Sequence, residues 1–345
     1  MGLTYKDAGV DIDRGDALVD RIVPLAKSTR TPFVLDDVGG FAGLCGIPKG
    51  LEEPVLVAGT DGVGTKLKLA FDLGKHRTVG IDLVAMCIND VLTTGATPLF
   101  FLDYFATSSL DVDQAEAVIA GIVEGCRQSG CALLGGETAE LPGFYTKGEY
   151  DLAGFAVGIV DRKRIVDGRG ATAGDAVIAV ASSGLHSNGY SLARKALLDV
   201  GGQSLEAPFA GGRSLGDTLL TPTRIYARAV RAAMEAAPVR AMCHVTGGGI
   251  EGNLPRVLPR ELVAHVRLDS WERPAIFGAI QRAADVPESE MRRTFNLGVG
   301  FLFVVAAESA ERVVQALHGS GEQAWVCGHL EQRTAPDQND VTLHG

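Results

Sequence analysis

Apolar positions along this chain follow two alternating rhythms. Short, nearly continuous aliphatic and aromatic runs occur at residues 55–58, 99–105, 132–134, 152–160, 176–181 and 297–307, the pattern of strands in a covered sheet. Other segments repeat at helical spacing instead. Ala115, Val118, Ile119, Ile122, Val123 and Cys126 form one stripe, Leu192, Ala193, Ala196, Leu197 and Val200 another, and residues 309–317 read as a further helix. Asp113 with Glu116 three residues on predicts a capping box at the start of the first. The alternation predicts an α/β protein.

A chain of 345 residues exceeds the roughly 250–300 at which one core stops growing, so two domains are expected. Residues 161–175 are charged and Gly-rich without hydrophobic periodicity, which places the boundary there, between domains at 1–165 and 170–345. A hydrophobic content of 46% with 21% charged residues describes a globular chain. The net charge of −10, with no long basic stripe, disfavours nucleic acid as a partner. Any phosphate site must then be local, made from backbone N–H groups and bound metal. Six cysteines without a C-x-x-C pair fit reduced thiols. The N-terminus lacks a signal-peptide pattern and no apolar run approaches ~20 residues, so a cytoplasmic protein without membrane partners is expected.

Several glycine-rich stretches follow strand patterns. The first, Thr60-Asp61-Gly62-Val63-Gly64-Thr65-Lys66, resembles a phosphate loop but reverses the usual Lys-Thr order. Asp61 in the turn implies a cation between it and a bound phosphate. Asp82, Asn89 and Asp90 interrupt an otherwise apolar helix, with Asp82 and Asn89 seven positions apart on nearly one face. Asp90, flanked by Ile88 and Val91, is costly to bury without a partner. Gly135, Gly136, Glu137 and Glu140 fall just past a strand pattern, where ligand sites of open α/β sheets gather. Asp103 inside an aromatic strand reads equally as a satisfied structural carboxylate or a site residue.

Two further loops, Ser183-Gly184-Leu185-His186-Ser187-Asn188 and His244-Val245-Thr246-Gly247-Gly248-Gly249, complete the candidates. His186 and His244 lie in Gly- and Ser-rich turns, unlike core histidines, and neither has a second ligand at metal spacing. Hydrogen bonding to phosphate or to a reacting amide suits them better. The absence of G-x-S-x-G argues against a Ser-His-Asp hydrolase.

Together with residues 5–12, 80–90, 100–105, 135–142, 183–192, 220–226 and 244–259, these motifs make the chain resemble the phosphoribosylformylglycinamidine cyclo-ligase, or aminoimidazole ribonucleotide synthetase, family. The resemblance implies an α/β fold of α+β type in two domains, the N-terminal sheet pairing across a homodimer into a barrel-like layer. It implies ATP-dependent cyclisation of formylglycinamidine ribonucleotide to aminoimidazole ribonucleotide, with ADP and phosphate released, in purine biosynthesis. On it, Asp61, Asp90 and Glu137 are assigned to Mg²⁺, and Gly62, Val63, Gly64, Thr65, Lys66, Asn89, Gly135 and Gly136 to ATP. Ser183, Gly184, His186, Ser187, Asn188, Thr246, Gly247, Gly248 and Gly249 are assigned to the substrate. His186, His244 and Asp103 are the catalytic candidates, with no choice between the histidines. The rival readings are a thiamine monophosphate kinase-like phosphotransferase and a non-catalytic ATP-sensing dimer. The pair Gly39-Gly40 suggests an N-terminal segment able to fold over the nucleotide.

Overall fold

The computed structural model describes residues 3–36 and 42–345, so Gly39 and Gly40 lie outside the described residues. The chain divides into two compact units, residues 1–91 with 96–163, and residues 92–95 with 164–345.

The first unit is built on a four-stranded sheet in the order β1-β4-β2-β3, formed by β1 (Pro54–Gly62), β2 (Thr97–Thr107), β3 (Ala132–Glu140) and β4 (Tyr150–Asp161). β4 runs antiparallel to both neighbours, while β2 and β3 are parallel. The helices are α1 (Ile12–Lys27), α2 (Leu67–Leu73), α3 (Arg77–Leu92) and α4 (Val112–Ser129). All six residues of the expected α4 stripe are buried. α3 and α4 cross backbone to backbone, because a Cβ on Gly80 would lie 2.1 Å from the Val118 carbonyl oxygen and one on Gly121 1.9 Å from that of Arg77. One face of the sheet packs on α3, with Phe101 and Leu83 meeting at the side-chain-free Gly154. The opposite face leaves Leu56, Tyr104 and Phe155 exposed.

Three local expectations are corrected. The cap of α4 is Asp111, whose carboxylate accepts from Gln114 N at 3.0 Å, while Asp113 and Glu116 bind Arg21 of α1 at 2.7 and 2.9 Å. β1 continues through Asp61 to Gly62 because those residues pair with β4. β3 likewise runs through Gly135, Gly136 and Glu137 instead of ending before them. Glycine is required at position 136, since a Cβ there would lie 2.2 Å from the carboxylate of Asp103 on β2.

The second unit has a six-stranded sheet ordered β10-β7-β9-β5-β8-β6. Its strands are β5 (Ala176–Ala181), β6 (Val239–His244), β7 (Leu262–Arg267), β8 (Val299–Val305), β9 (Ala324–Gln332) and β10 (Val341–His344). β8 is buried at every position between β5 and β6, which explains its uninterrupted apolar sequence. The helix starting at Tyr190 is α-helical to Arg194 and then widens into a π-helical stretch, Lys195–Val200. The wider turn rotates Val200 off the buried face, leaving it 60% exposed.

Candidate active site

Within the first unit the candidate residues form two groups. One surrounds the end of β1. Gly62 N donates to the Asp61 carboxylate at 2.7 Å, and the backbone then turns through the exposed Gly64 and Thr65 in a 3-10 turn, Gly64–Lys66. Glycine permits the left-handed φ of 69° at position 64. Beneath this turn lies the Cys87 thiol of α3, donating to the Asp61 backbone oxygen at 3.9 Å. Burial, then the charge of Asp61 and that of Asp90, push this thiol far above its usual range. Asp61 and Asp90 are thus both near enough to Cys87 for their charges to act on its thiol. Asp90 is exposed, contrary to the expectation of a buried carboxylate, because it points away from the core face that holds Ile88 and Val91.

Lys66 is corrected as well. Instead of tipping the turn toward a phosphate, it points inward and is fully buried, its ammonium 2.9 and 2.8 Å from the two carboxylate oxygens of the equally buried Asp82. Asn89 is buried on the same face of α3, as its spacing from Asp82 predicts. That leaves Gly64 and Thr65 as the exposed part of the turn.

The second group lines a cleft of about 950 Å³ between α1 and the sheet, where Leu18, Ile22, Phe100 and Leu102 surround Asp103 and Gly135, Gly136 and Glu137. Asp103 is 8% exposed, and burial lifts its pKa to about 7, its own backbone N–H opposing the rise. Glu140 is structural: its carboxylate accepts from Asp11 N at 2.9 Å and from Leu110 N at 2.6 Å, tying the start of α1 to the sheet. Glu137 pairs in register with Tyr104 and is exposed on the open face.

The proposed trio Asp61, Asp90 and Glu137 does not assemble within the chain. β1 and β3 are opposite edges of the sheet. Three strand spacings of ~4.8 Å put them about 14 Å apart. Among the described residues no group of three or more His, Cys, Asp and Glu is arranged to hold a metal ion.

In the second unit the two glycine loops do meet, Asn188 approaching Gly247. Among the described residues Asn188 Nδ2 is buried without a hydrogen-bond partner, a donor left over at the junction. Ser183 Oγ donates to the Pro222 oxygen at 2.6 Å. His186 and His244 are corrected: both are buried, their rings 6.5 Å apart in a cluster with Tyr226 and Phe301. His186 takes a left-handed φ of 63° and accepts from Ser183 N at 3.3 Å, so it supports its loop from beneath. Gly300 makes the space, since a Cβ there would strike the Tyr226 hydroxyl and the His186 ring.

Asn253, absent from the sequence-derived candidates, organises the other loop. Its amide nitrogen donates to the oxygens of Thr246, Gly247 and Gly249 at 3.4, 3.1 and 2.8 Å. Asn296 acts similarly, donating to the Gly184 oxygen at 2.9 Å. Each stands just beyond or just before a glycine cluster, the signal that would have found them.

Two α/β units carrying acid-edged and glycine-edged loops define the AIR synthase class. Residues 45–160 match the AIR synthase related protein, N-terminal domain, and residues 172–337 the corresponding C-terminal domain. The phosphoribosylformylglycinamidine cyclo-ligase of Sorangium cellulosum is 65% identical over 333 residues, 96% of either chain, and that of Anaeromyxobacter sp. strain Fw109-5 is 58% identical over 335 residues, 97% of either. The chain belongs to the phosphoribosylformylglycinamidine cyclo-ligase family, enzymes of purine biosynthesis. The fold is also that of thiamine-monophosphate kinase from Stenotrophomonas maltophilia, with a TM-score of 0.68, 22% identity and 95% of each chain covered. A structure of hydrogenase maturation protein HypE in complex with ATP has a TM-score of 0.65, 18% identity and covers 95% of this chain and 90% of that one. No helix among the described residues is long and apolar enough to cross a membrane.

Proposed function

We propose that this cyclo-ligase uses ATP to close formylglycinamidine ribonucleotide into aminoimidazole ribonucleotide, releasing ADP and phosphate. An amide oxygen is a poor leaving group at neutral pH. Transfer of the γ-phosphoryl group to that oxygen gives an imidate-like phosphate ester. The amidine nitrogen of the same molecule then attacks the carbon, the ring closes, and the C–O bond breaks with the electron pair leaving on phosphate. Such chemistry needs positioning and charge neutralisation more than covalent participation.

The observation that carries the reading is that two hard-oxygen carboxylates, Asp61 and Asp90, both lie near Cys87, whose thiol contacts the Asp61 backbone where β1 enters the glycine turn. Mg²⁺ usually takes one or two carboxylates together with substrate phosphates, so two acids fit it without Glu137. When bound, the ion would neutralise phosphate charge. Asp61 and Asp90 would hold it, and the Gly62–Thr65 backbone would bind the phosphates. The ATP bound to HypE supports the nucleotide reading. Asp103, with a pKa of about 7, is matched to accept a proton near neutrality in the apolar cleft. Asn188 offers its leftover donor to the ribonucleotide, beside Gly247. The exposed Leu56, Tyr104 and Phe155 support homodimer pairing through the open face of the first sheet. We assign the protein to the cytoplasm.

The test is ADP release by the purified protein with Mg²⁺-ATP, with and without formylglycinamidine ribonucleotide. Release that depends on this substrate is expected. ADP formation indifferent to it would reject the cyclisation.

A further inference from the structure

The buried ion pair between Lys66 and Asp82 joins the two elements that carry Asp61 and Asp90. Lys66 closes the 3-10 turn that directly follows β1, five residues after Asp61. Asp82 stands inside α3, eight residues before Asp90. Both side chains have no exposure, and the ammonium reaches both carboxylate oxygens at 2.8–2.9 Å.

A pair so placed is weak evidence for stability, because taking two charges out of water offsets most of their attraction. What it supplies is a fixed geometry. An apolar pair of the same volume would fill the space but could slide. α3 transmits the constraint rigidly, Asp90 lying about 12 Å further along its axis. Cys87, between the two ends, experiences the charge of both acids and hydrogen-bonds the backbone of Asp61, so turn and helix already converge there.

We propose that Lys66 and Asp82 are positioning residues which set the spacing of Asp61 against Asp90, and so determine how tightly the chain holds a divalent cation delivered with a nucleoside triphosphate. The inference rests on the reading of those two acids as cation ligands. Mg²⁺ and Mn²⁺ demand near-octahedral oxygen sites, so a displacement of one acid weakens binding while leaving the chemistry of a saturated site intact.

The experiment uses the full-length protein and Mn²⁺ as the probe, with ADP present, followed by electron paramagnetic resonance. Asp82→Asn keeps an acceptor for the ammonium, and the double variant Lys66→Met/Asp82→Leu replaces the pair with apolar side chains. Each is also melted by circular dichroism and assayed for ADP release against Mg²⁺ concentration. The double variant should melt cooperatively near the parent and Asp82→Asn lower, its buried ammonium having lost the counter-charge; in both, Mn²⁺ affinity weaker by about tenfold and kcat restored at saturating Mg²⁺ are expected. A folded double variant that binds Mn²⁺ as the parent does overturns the proposal. If the double variant does not fold, parent-like affinity in Asp82→Asn overturns it equally. Asp61→Asn separates the two levels of argument: unchanged Mn²⁺ affinity there rejects the cation site itself.

Discussion

Replacing Asp103 with asparagine removes a carboxyl group whose proton the folded chain retains. Burial raises its pKa from 3.8 to about 7, so over that interval the folded state binds a proton that the unfolded state has lost. Stability must then fall as pH rises from about 4 to about 7, and level off above. At ~1.4 kcal/mol per pH unit the loss reaches ~4 kcal/mol across the window. Asparagine, neutral throughout, escapes it. Asp103→Asn should therefore match the parent near pH 4 and exceed it by up to ~4 kcal/mol at pH 8. Both tryptophans, Trp271 and Trp325, belong to the second unit, so their fluorescence is blind to this change. Amide hydrogen exchange in β2 and β3, measured between pH 4 and 8, reads it directly. Parallel opening energies for the two proteins across this range would refute the argument. The same variant should lose turnover despite its added stability, the trade-off expected of a strained functional group. Normal kcat would remove Asp103 from the proton-transfer step.

Other substitutions test separate parts of the structure. Asn253→Ala strips three backbone oxygens of their donor and should cost ~1–3 kcal/mol in thermal unfolding. It should also raise KM for the ribonucleotide more than it lowers kcat, and an unchanged KM would detach the Thr246 to Gly249 loop from substrate. Gly121→Ala forces a methyl group against the Arg77 carbonyl oxygen where α3 and α4 cross; a loss of about 3 kcal/mol is expected, and a parent-like Tm contradicts that close approach. Phe155→Asp places a charge on the open face of the first sheet. Sedimentation should then show monomer, and a dimer of normal affinity would move the pairing surface elsewhere.

Among the described residues β1 to β5 and β8 were legible, whereas β6, β7, β9 and β10 were not read from the sequence. β5 and β8 are covered on both faces, and such strands cannot tolerate polar interruptions. The α4 stripe was equally plain, since one helical face meets a sheet. Boundaries failed where polar or glycine residues lie inside an element. Gly135 and Gly136 look like the end of a strand, yet they continue β3 because the Asp103 side chain needs the space beside Gly136. Asp113 looks like a cap, yet its carboxylate is held by Arg21 from a helix some ninety residues earlier in sequence. Val200 follows helical spacing but the π-helical stretch changes the period beneath it. In each case a long-range partner or a change of period overrides a local rule.

Candidate site residues could be read as residue types but not as geometry, for a reason visible in the sheet. Sequence order brings Asp61, Asp90 and Glu137 forward as acids beside glycines, and spacing cannot reveal that β1 and β3 become opposite edges. A carboxylate's meaning depends on which face and which edge it occupies, and a period of two residues sends neighbours to opposite faces. Hence Asp103 faces the helices while Glu137 faces the open side, although their strands are adjacent. The same argument accounts for the histidines. His186 and His244 are embedded in polar, glycine-rich sequence, but their partners, Tyr226 and Phe301, come from distant segments and enclose them. A loop sequence therefore shows which side chains lie near a glycine turn, whereas the residues arriving from elsewhere decide which of those side chains are enclosed.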